Sequence, residues 1–432
     1  MTEFTSKAKW IGTGEGWWKT GMMSPATELR RVFTLDEKPE NAECLILGLG
    51  SYVLYVNGRQ VGDDVLSPAY TAYDKRALYV RYDLTEFLHT GDNVIAVRLG
   101  NSFYNQTVRD EWNYYLASWR NLPRLLFELF IDGESSLVSD KSWRVRTNGA
   151  VIHNAVRTGE FYDARLEDGW KMLEYCDTGW DCAVTVNSPG GIIEEMTMPP
   201  MRECETLTTQ KITKSKNGYI YDFGKNIAGY VGLKMSGAAG SMIKLTYGEQ
   251  LTDGEIDNTY TNHNNVFEGE FATDKYTFRG EGIEEWHPQF VFHGFRYVEL
   301  CGVESEPSPD ALTAYFVHTD LRRKGSFECS DELMSWIYDA GIRSFLSNYQ
   351  GISLDCPHRE KNGWTGDAVI SADYAVCLFD MKEAYEKWMR DMTDAQRING
   401  QLPGIVPSCG WGYNWGSGPA WDFVIFALPY AH

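Results

Sequence analysis

Hydrophobic and polar residues alternate through the first three quarters of the chain, and the period lengthens near residue 330. Runs at 29–35, 43–49, 51–56, 77–82 and 93–99 read as short strands, because a period of two puts alternate side chains on one buried face. Asn57-Gly58 between two of these runs signals a hairpin, since both residues tolerate a positive φ, and Gly91-Asp92 reads as a second punctuation. Further runs at 124–131 and 143–146 extend the pattern. Residues 1–195 therefore read as a jelly-roll-like β-sandwich, with Ser188-Pro189-Gly190-Gly191 as the linker out of it.

A second β-rich block follows, with strands expected at 219–223, 229–235, 242–247, 274–278 and 297–300. They are too closely spaced to admit helices, so residues 196–322 read as another sandwich. At Ser330 the spacing becomes helical. Ser330 suits an N-cap, Asp331 and Glu332 fall in the first turn, and Leu333, Trp336, Ile337 and Ala340 lie on one face, predicting a helix to about Asn348. Two more helices are expected at 367–378 and 381–398, the latter closed by Asn399-Gly400. The last stretch, 423–430, is apolar where domains usually end in a polar tail. The helical block, 323–432, is therefore expected to be part of a larger domain cut short within this chain.

Composition narrows the function. Against 40 Lys and Arg stand 60 Asp and Glu, a formal net charge of −20, which disfavours nucleic acid and anionic membrane surfaces as partners. The nine cysteines are odd in number and form no CxxC pair, so neither zinc nor a disulfide framework is indicated, and reduced, mostly buried thiols are expected. No secretory leader is legible at the N-terminus, which points to the cytoplasm. Aromatic residues make up 14% of the chain. Flat rings of this kind fill sandwich cores or stack on sugar faces. Tyr104, Trp112, Tyr114, Tyr115 and Trp119 are the cluster where the choice matters. A buried anchor or domain contact is the simpler reading; a sugar-stacking face would make the chain a non-catalytic carbohydrate-binding module.

The segment richest in chemistry is Leu354-Asp355-Cys356-Pro357-His358-Arg359-Glu360-Lys361-Asn362-Gly363-Trp364-Thr365-Gly366-Asp367, between two expected helices. Carboxylates accept hydrogen bonds from hydroxyls, arginine donates through a rigid fork, and tryptophan offers an apolar platform. Together these groups suit a polyol, and a carboxylic acid among them suits protonation of a leaving oxygen. The plainer alternative is a capped helix start, with Asp367 as N-cap and Arg359 in an ordinary ion pair.

Asp355-Cys356-Pro357-x-Arg359-Glu360-x-x-Gly363-Trp364-Thr365-Gly366-Asp367 resembles the signature of bacterial α-L-rhamnosidases, glycoside hydrolase family 78. Gly159-Glu160-Phe161-Tyr162-Asp163-Ala164-Arg165, Tyr221-Asp222-Phe223-Gly224-Lys225-Asn226-Ile227-Ala228-Gly229 and His293-Gly294-Phe295-Arg296-Tyr297-Val298 also fall in that family's order. The resemblance implies two β-sandwich domains, jelly-roll-like and then concanavalin-like, followed by an (α/α)6 barrel that would be incomplete here. It implies Glu360 as general acid, with Asp355, Arg359, Trp364 and Asp367 binding rhamnose. His358 falls at a variable position. Of the downstream Trp411, Trp415 and Trp421, the last, followed by Asp422, is the best candidate to line the sugar cleft. No metal or cofactor is implied. The family inverts configuration using a second, far-downstream glutamate, so the chain alone is expected to be inactive, with Asp422 the one conceivable substitute. The expected partners are rhamnose-containing glycosides or polysaccharides.

Overall fold

The computed structural model describes residues 3–16, 18–19, 21–260, 269–413 and 418–432. Its regular structure is mainly β-sheet, and α-helices enter only after residue 330. In the first block a seven-stranded sheet faces a six-stranded one. Arg124–Ile131 and Ala42–Leu49 pair at the centre of the first, and Thr27–Leu35 pairs with Gly91–Leu99 across nine residues of the second. Leu29, Ile46, Leu54, Val97, Phe127 and Trp143 from both sheets meet in one core, as the alternation requires. Asn57-Gly58 makes the expected hairpin, with φ of 50° and 81° joining Tyr52–Val56 to Arg59–Gln60. Gly91-Asp92, read as a punctuation, opens a strand instead.

After Gly190-Gly191 the chain returns to the first block, where Ile192–Glu195 runs parallel to Arg76–Asp83. Val151–Ala155 and Gly159–Asp163 leave it: they pair with each other, and the second runs parallel to Thr273–Thr277 in a ten-stranded sheet built mainly from later residues. In that sheet the runs 219–223 and 229–235 belong to a single strand, Gly218–Met235. Its register against His293–Cys301 shifts between Asp222 and Ile227, and the irregularity hides the continuity from a simple alternation count.

Three helices of more than three turns follow, α1 (Glu332–Ser347), α2 (Thr365–Leu378) and α3 (Lys382–Ala395), and a shorter one spans Val424–Ala431. Asp331, not Ser330, caps α1, accepting the N–H groups of Leu333 and Met334. Both residue types cap well, so the sequence does not separate neighbours. Asp367 lies within the first turn of α2 and is not its cap. Helix α3 stops before Ile398, which is fully exposed and has no apolar neighbour to hold another turn.

The helical block shares its core with the first sandwich. Phe345, Tyr349, Trp388 and Val406 belong to the same apolar cluster as Tyr73, Tyr104, Trp112, Tyr114 and Trp119. The Tyr114 hydroxyl donates to the Pro407 carbonyl at 3.1 Å and Cys409 Sγ to the Trp112 carbonyl at 2.9 Å. The aromatic cluster is thus a buried contact between blocks; Tyr115 is half-buried at its rim. The nine cysteines are free thiols but not mostly buried. Cys44 is; Cys301, Cys356 and Cys409 are half-buried; Cys176, Cys182, Cys204, Cys329 and Cys377 are exposed. The exposed ones lie in loops, on edge strands and on the outer face of α2, where no core reaches them.

Gly294 shows how closely sheet and helical block approach. A Cβ there would stand 2.8 Å from His358 Cβ and 3.0 Å from the His358 backbone nitrogen. Gly294→Ala is expected to lower stability by about 1–3 kcal/mol, measurable as a lower urea midpoint, by pushing the Asp355–Asp367 segment off the sheet.

Candidate active site

Residues 348–364 connect α1 to α2 and close on themselves. The Asp355 N–H donates to the Asn362 carbonyl at 3.0 Å, and the Asn362 N–H returns to Asp355 Oδ1 at 3.1 Å. Cys356 Sγ donates to Asp355 Oδ2 at 2.8 Å and accepts the Glu360 N–H at 3.4 Å. Lys361, at a φ of 55°, turns the chain back so that its N–H reaches the Cys356 carbonyl at 3.2 Å. The exit is pinned by Thr365 N–H to the Gly404 carbonyl at 2.9 Å and Val406 N–H to the Gly363 carbonyl at 2.8 Å. Any side chain at 363 would meet the Val406 carbonyl at 1.9 Å, which accounts for the glycine.

Within this frame the Glu360 carboxyl is gripped at both oxygens. Arg359 Nη2 donates to Oε1 at 2.9 Å and Trp364 Nε1 to Oε2 at 2.7 Å, and the side chain is 13% exposed. It opens into a cleft of about 410 Å³. All six residues expected at the site line it: Asp355, Arg359, Glu360, Trp364, Asp367 and Trp421. Tyr260, Cys356 and His358 complete the lining among the described residues. Trp421 comes from a short helix, Pro419–Asp422, and its ring would lie 2.9 Å from a Cβ at Gly366, so a glycine there lets the indole reach the cleft. Trp411 meets Trp364 edge-on at 5.8 Å. Trp415 lies outside the described residues. Asp422 does not line the cleft.

Three carboxylates around one guanidinium repel one another as well as attract it. Burial, and then the neighbouring Glu360 carboxylate, push Asp355 up to about 7. Asp367 moves the same way, again chiefly through burial. The cleft therefore favours keeping a proton.

Sequence reasoning missed the residues that hold this segment in place. Arg157, between the strands Val151–Ala155 and Gly159–Asp163, has no exposed side-chain surface. Its Nε and Nη2 donate to the Glu360 carbonyl at 3.0 and 2.8 Å, Nη2 also to Asn362 Oδ1 at 2.8 Å, and Nη1 to Asp110 Oδ2 at 3.2 Å. Lys361 donates to the carbonyls of Val156, at 2.6 Å, and Phe292; burial and then Arg157 push it down to about 7. Arg157 stands two residues before Gly159, which opens the Gly159–Arg165 motif, and that proximity was the available signal. His358 faces Glu249, 3.4 Å away, and Tyr260 donates to the same carboxylate at 3.3 Å.

Carboxylates, one arginine and two indoles, all from the helical block and its loops, line a cleft set against the sheets, a lining of the kind that suits a polyol. Three domain models agree: an α-L-rhamnosidase N-terminal domain over residues 37–205, a bacterial α-L-rhamnosidase concanavalin-like domain over 212–318, and a bacterial α-L-rhamnosidase 6 hairpin glycosidase domain over 322–432. The chain belongs to the bacterial α-L-rhamnosidases of glycoside hydrolase family 78. It is 36% identical over 401 residues to an α-L-rhamnosidase of Formosa agariphila, covering 87% of this chain and 41% of that protein. The α-L-rhamnosidase structure from Dictyoglumus thermophilum matches with a TM-score of 0.90 at 33% identity, over 98% of this chain and 48% of that one. A Streptomyces avermitilis α-L-rhamnosidase complexed with L-rhamnose gives 0.88 at 30% identity, over 95% and 40%. The chain thus spans less than half the length of each.

The raised Asp355 pKa has a stability consequence. The folded state holds a proton on Asp355 that the unfolded chain releases near pH 4, so this group's contribution is fully present below pH 4 and is lost as pH rises through about 7. Asp355→Asn is expected to flatten that decline, leaving the variant more stable than wild type at pH 8 but not at pH 4. Urea unfolding at the two pH values checks it.

Proposed function

We propose that the protein hydrolyses terminal α-L-rhamnose from glycosides or polysaccharides with inversion of configuration, Glu360 serving as general acid. The observation that carries this is the Glu360 carboxyl, fixed by Arg359 and Trp364 at the wall of a cleft it shares with Asp355, Asp367 and Trp421. Asp355 and Asp367 can accept sugar hydroxyls. Arg359 Nε and Trp421 Nε1 are buried donors with no acceptor among the described residues, and sugar oxygens would satisfy them. Glu360 would give its proton to the glycosidic oxygen as the anomeric C–O bond breaks. Water, entering from the opposite face, would lose a proton to a second carboxylate roughly 6.5–9.5 Å from the first.

We assign that second carboxylate to a part of the protein outside these 432 residues, because Asp422 does not line the cleft and the relatives are more than twice as long. The helical block is, in this reading, the first part of an (α/α)6 barrel. Its apolar faces support the idea: Trp336 is 67% exposed, Ile370 83%, Phe426 63% and Tyr430 88%, and such surface is usually covered.

The 432-residue chain should show no turnover of a chromogenic α-L-rhamnoside, whereas a protein with the complete six-hairpin domain should. In the latter, Glu360→Gln is expected to cost roughly 10²–10⁴-fold in kcat. Turnover by the short chain that Glu360→Gln abolishes would refute the placement of the base.

A further inference from the structure

We infer that Arg157 is a positioning residue for the general acid, so that the sheet layer, and not the helical block alone, sets where Glu360 delivers its proton. The inference rests on the reading of Glu360 as the acid.

The two groups that grip the Glu360 carboxyl, Arg359 and Trp364, belong to the same loop. They fix the carboxyl relative to its own segment but not relative to the rest of the cleft. Arg157 supplies that reference. It comes from the edge of the ten-stranded sheet and places two N–H groups on the Glu360 carbonyl and one on Asn362 Oδ1. The guanidinium is itself immobilised, because Asp110 takes Nη1 and the rings of Trp112 and Tyr114 lie 4.9 and 5.2 Å from its centre. The Tyr114 hydroxyl and the Trp112 carbonyl in turn bond Pro407 and Cys409 of the 406–409 segment, whose Val406 pins Gly363. A planar fork of donors matches two neighbouring acceptors in a way a lysine ammonium does not. Displacing a catalytic group by about 1 Å can cost on the order of 100-fold in rate, so an anchor one peptide unit from the acid bears on the chemistry.

Two variants separate positioning from bulk stability. Arg157→Lys keeps a cation opposite Asp110, and Arg157→Gln with Asp110→Asn removes both charges together, so neither strands a buried ion. In the protein with the complete six-hairpin domain, kcat and KM are measured for aryl α-L-rhamnosides whose leaving phenols span a wide range of acidity. Dinitrophenolate departs without a proton, whereas a weakly acidic phenol needs one. Both variants are expected to lose roughly 10–100-fold in kcat on the least acidic leaving groups, to stay near wild type on the dinitrophenyl substrate, and to change KM little. A uniform loss across the series, or a raised KM at unchanged kcat, would overturn the inference. Glu360→Gln is run alongside. If that variant also loses rate uniformly, the assignment of the acid fails; if it shows the graded loss and the Arg157 variants do not, the positioning role alone fails.

Discussion

Two cations withdrawn from water hold the loop on which the cleft depends. Burying a charge costs several kcal/mol unless it is paired and hydrogen-bonded, and the two meet that cost differently. Arg157 has a carboxylate, Asp110, and three further bonds to oxygen. Lys361 has two backbone carbonyls and no ion-pair partner among the described residues, and its pKa falls accordingly. A neutral amine still has two donors, enough for both carbonyls, while the guanidinium spreads its bonds over Asp110, the Glu360 carbonyl and Asn362. The loop is therefore attached to the sheets at two points, of which Lys361 can keep its bonds whether or not it is charged.

The same crowding ties together the motifs read along the chain. Asp222, from one motif, takes Arg296, from another, in a two-point pair at 2.8 and 2.9 Å. Glu160 accepts the N–H groups of Gln289 and Phe290, and its own N–H donates to Asp274, which also meets Tyr247 and His293. Burial and then Asp274 push Glu160 up to about 8, another acidic group holding its proton in a dry, crowded place. These residues do not line the 410 Å³ cleft. They brace the sheet whose Phe292 carbonyl holds Lys361 and whose Gly294 lies against His358, so motifs far apart in sequence converge beneath one segment.

Much of this was legible in the residues. The strands of the first sandwich follow from a clean alternation, and five of the six cleft residues lie in one dense segment, while the family resemblance singled out their roles and Trp421. What escaped was non-local. The bulge after Asp222 broke the alternation of Gly218–Met235, so one strand looked like two. The passage of Val151–Asp163 into the other sheet depends on parallel pairing with Thr273–Thr277, more than a hundred residues away. Beyond its place near the Gly159–Arg165 motif, Arg157 carries no signal of what it binds, because it meets Glu360 through a backbone carbonyl that any residue would offer, and Asp110 is recognisable only through Arg157. The exposed cysteines were misjudged because thiols are common in cores, while position in the sheet, which decides exposure, is a tertiary property.

The electrostatics of the cleft look unfavourable until the proposed ligand, a neutral sugar, is considered. A chain of net charge −20 that gathers Asp355, Glu360 and Asp367 around Arg359 would repel an anion and gains little in folding from the cluster. A neutral sugar is indifferent to long-range charge, so an acidic surface costs nothing in encounter. At short range the crowding is useful, because each buried carboxylate makes it harder for its neighbours to ionise. Asp355 and Asp367 both respond in this direction. The two carboxylates whose burial weakens the fold above neutral pH, Asp355 and Asp367, are thus the ones that favour keeping a proton in the cleft.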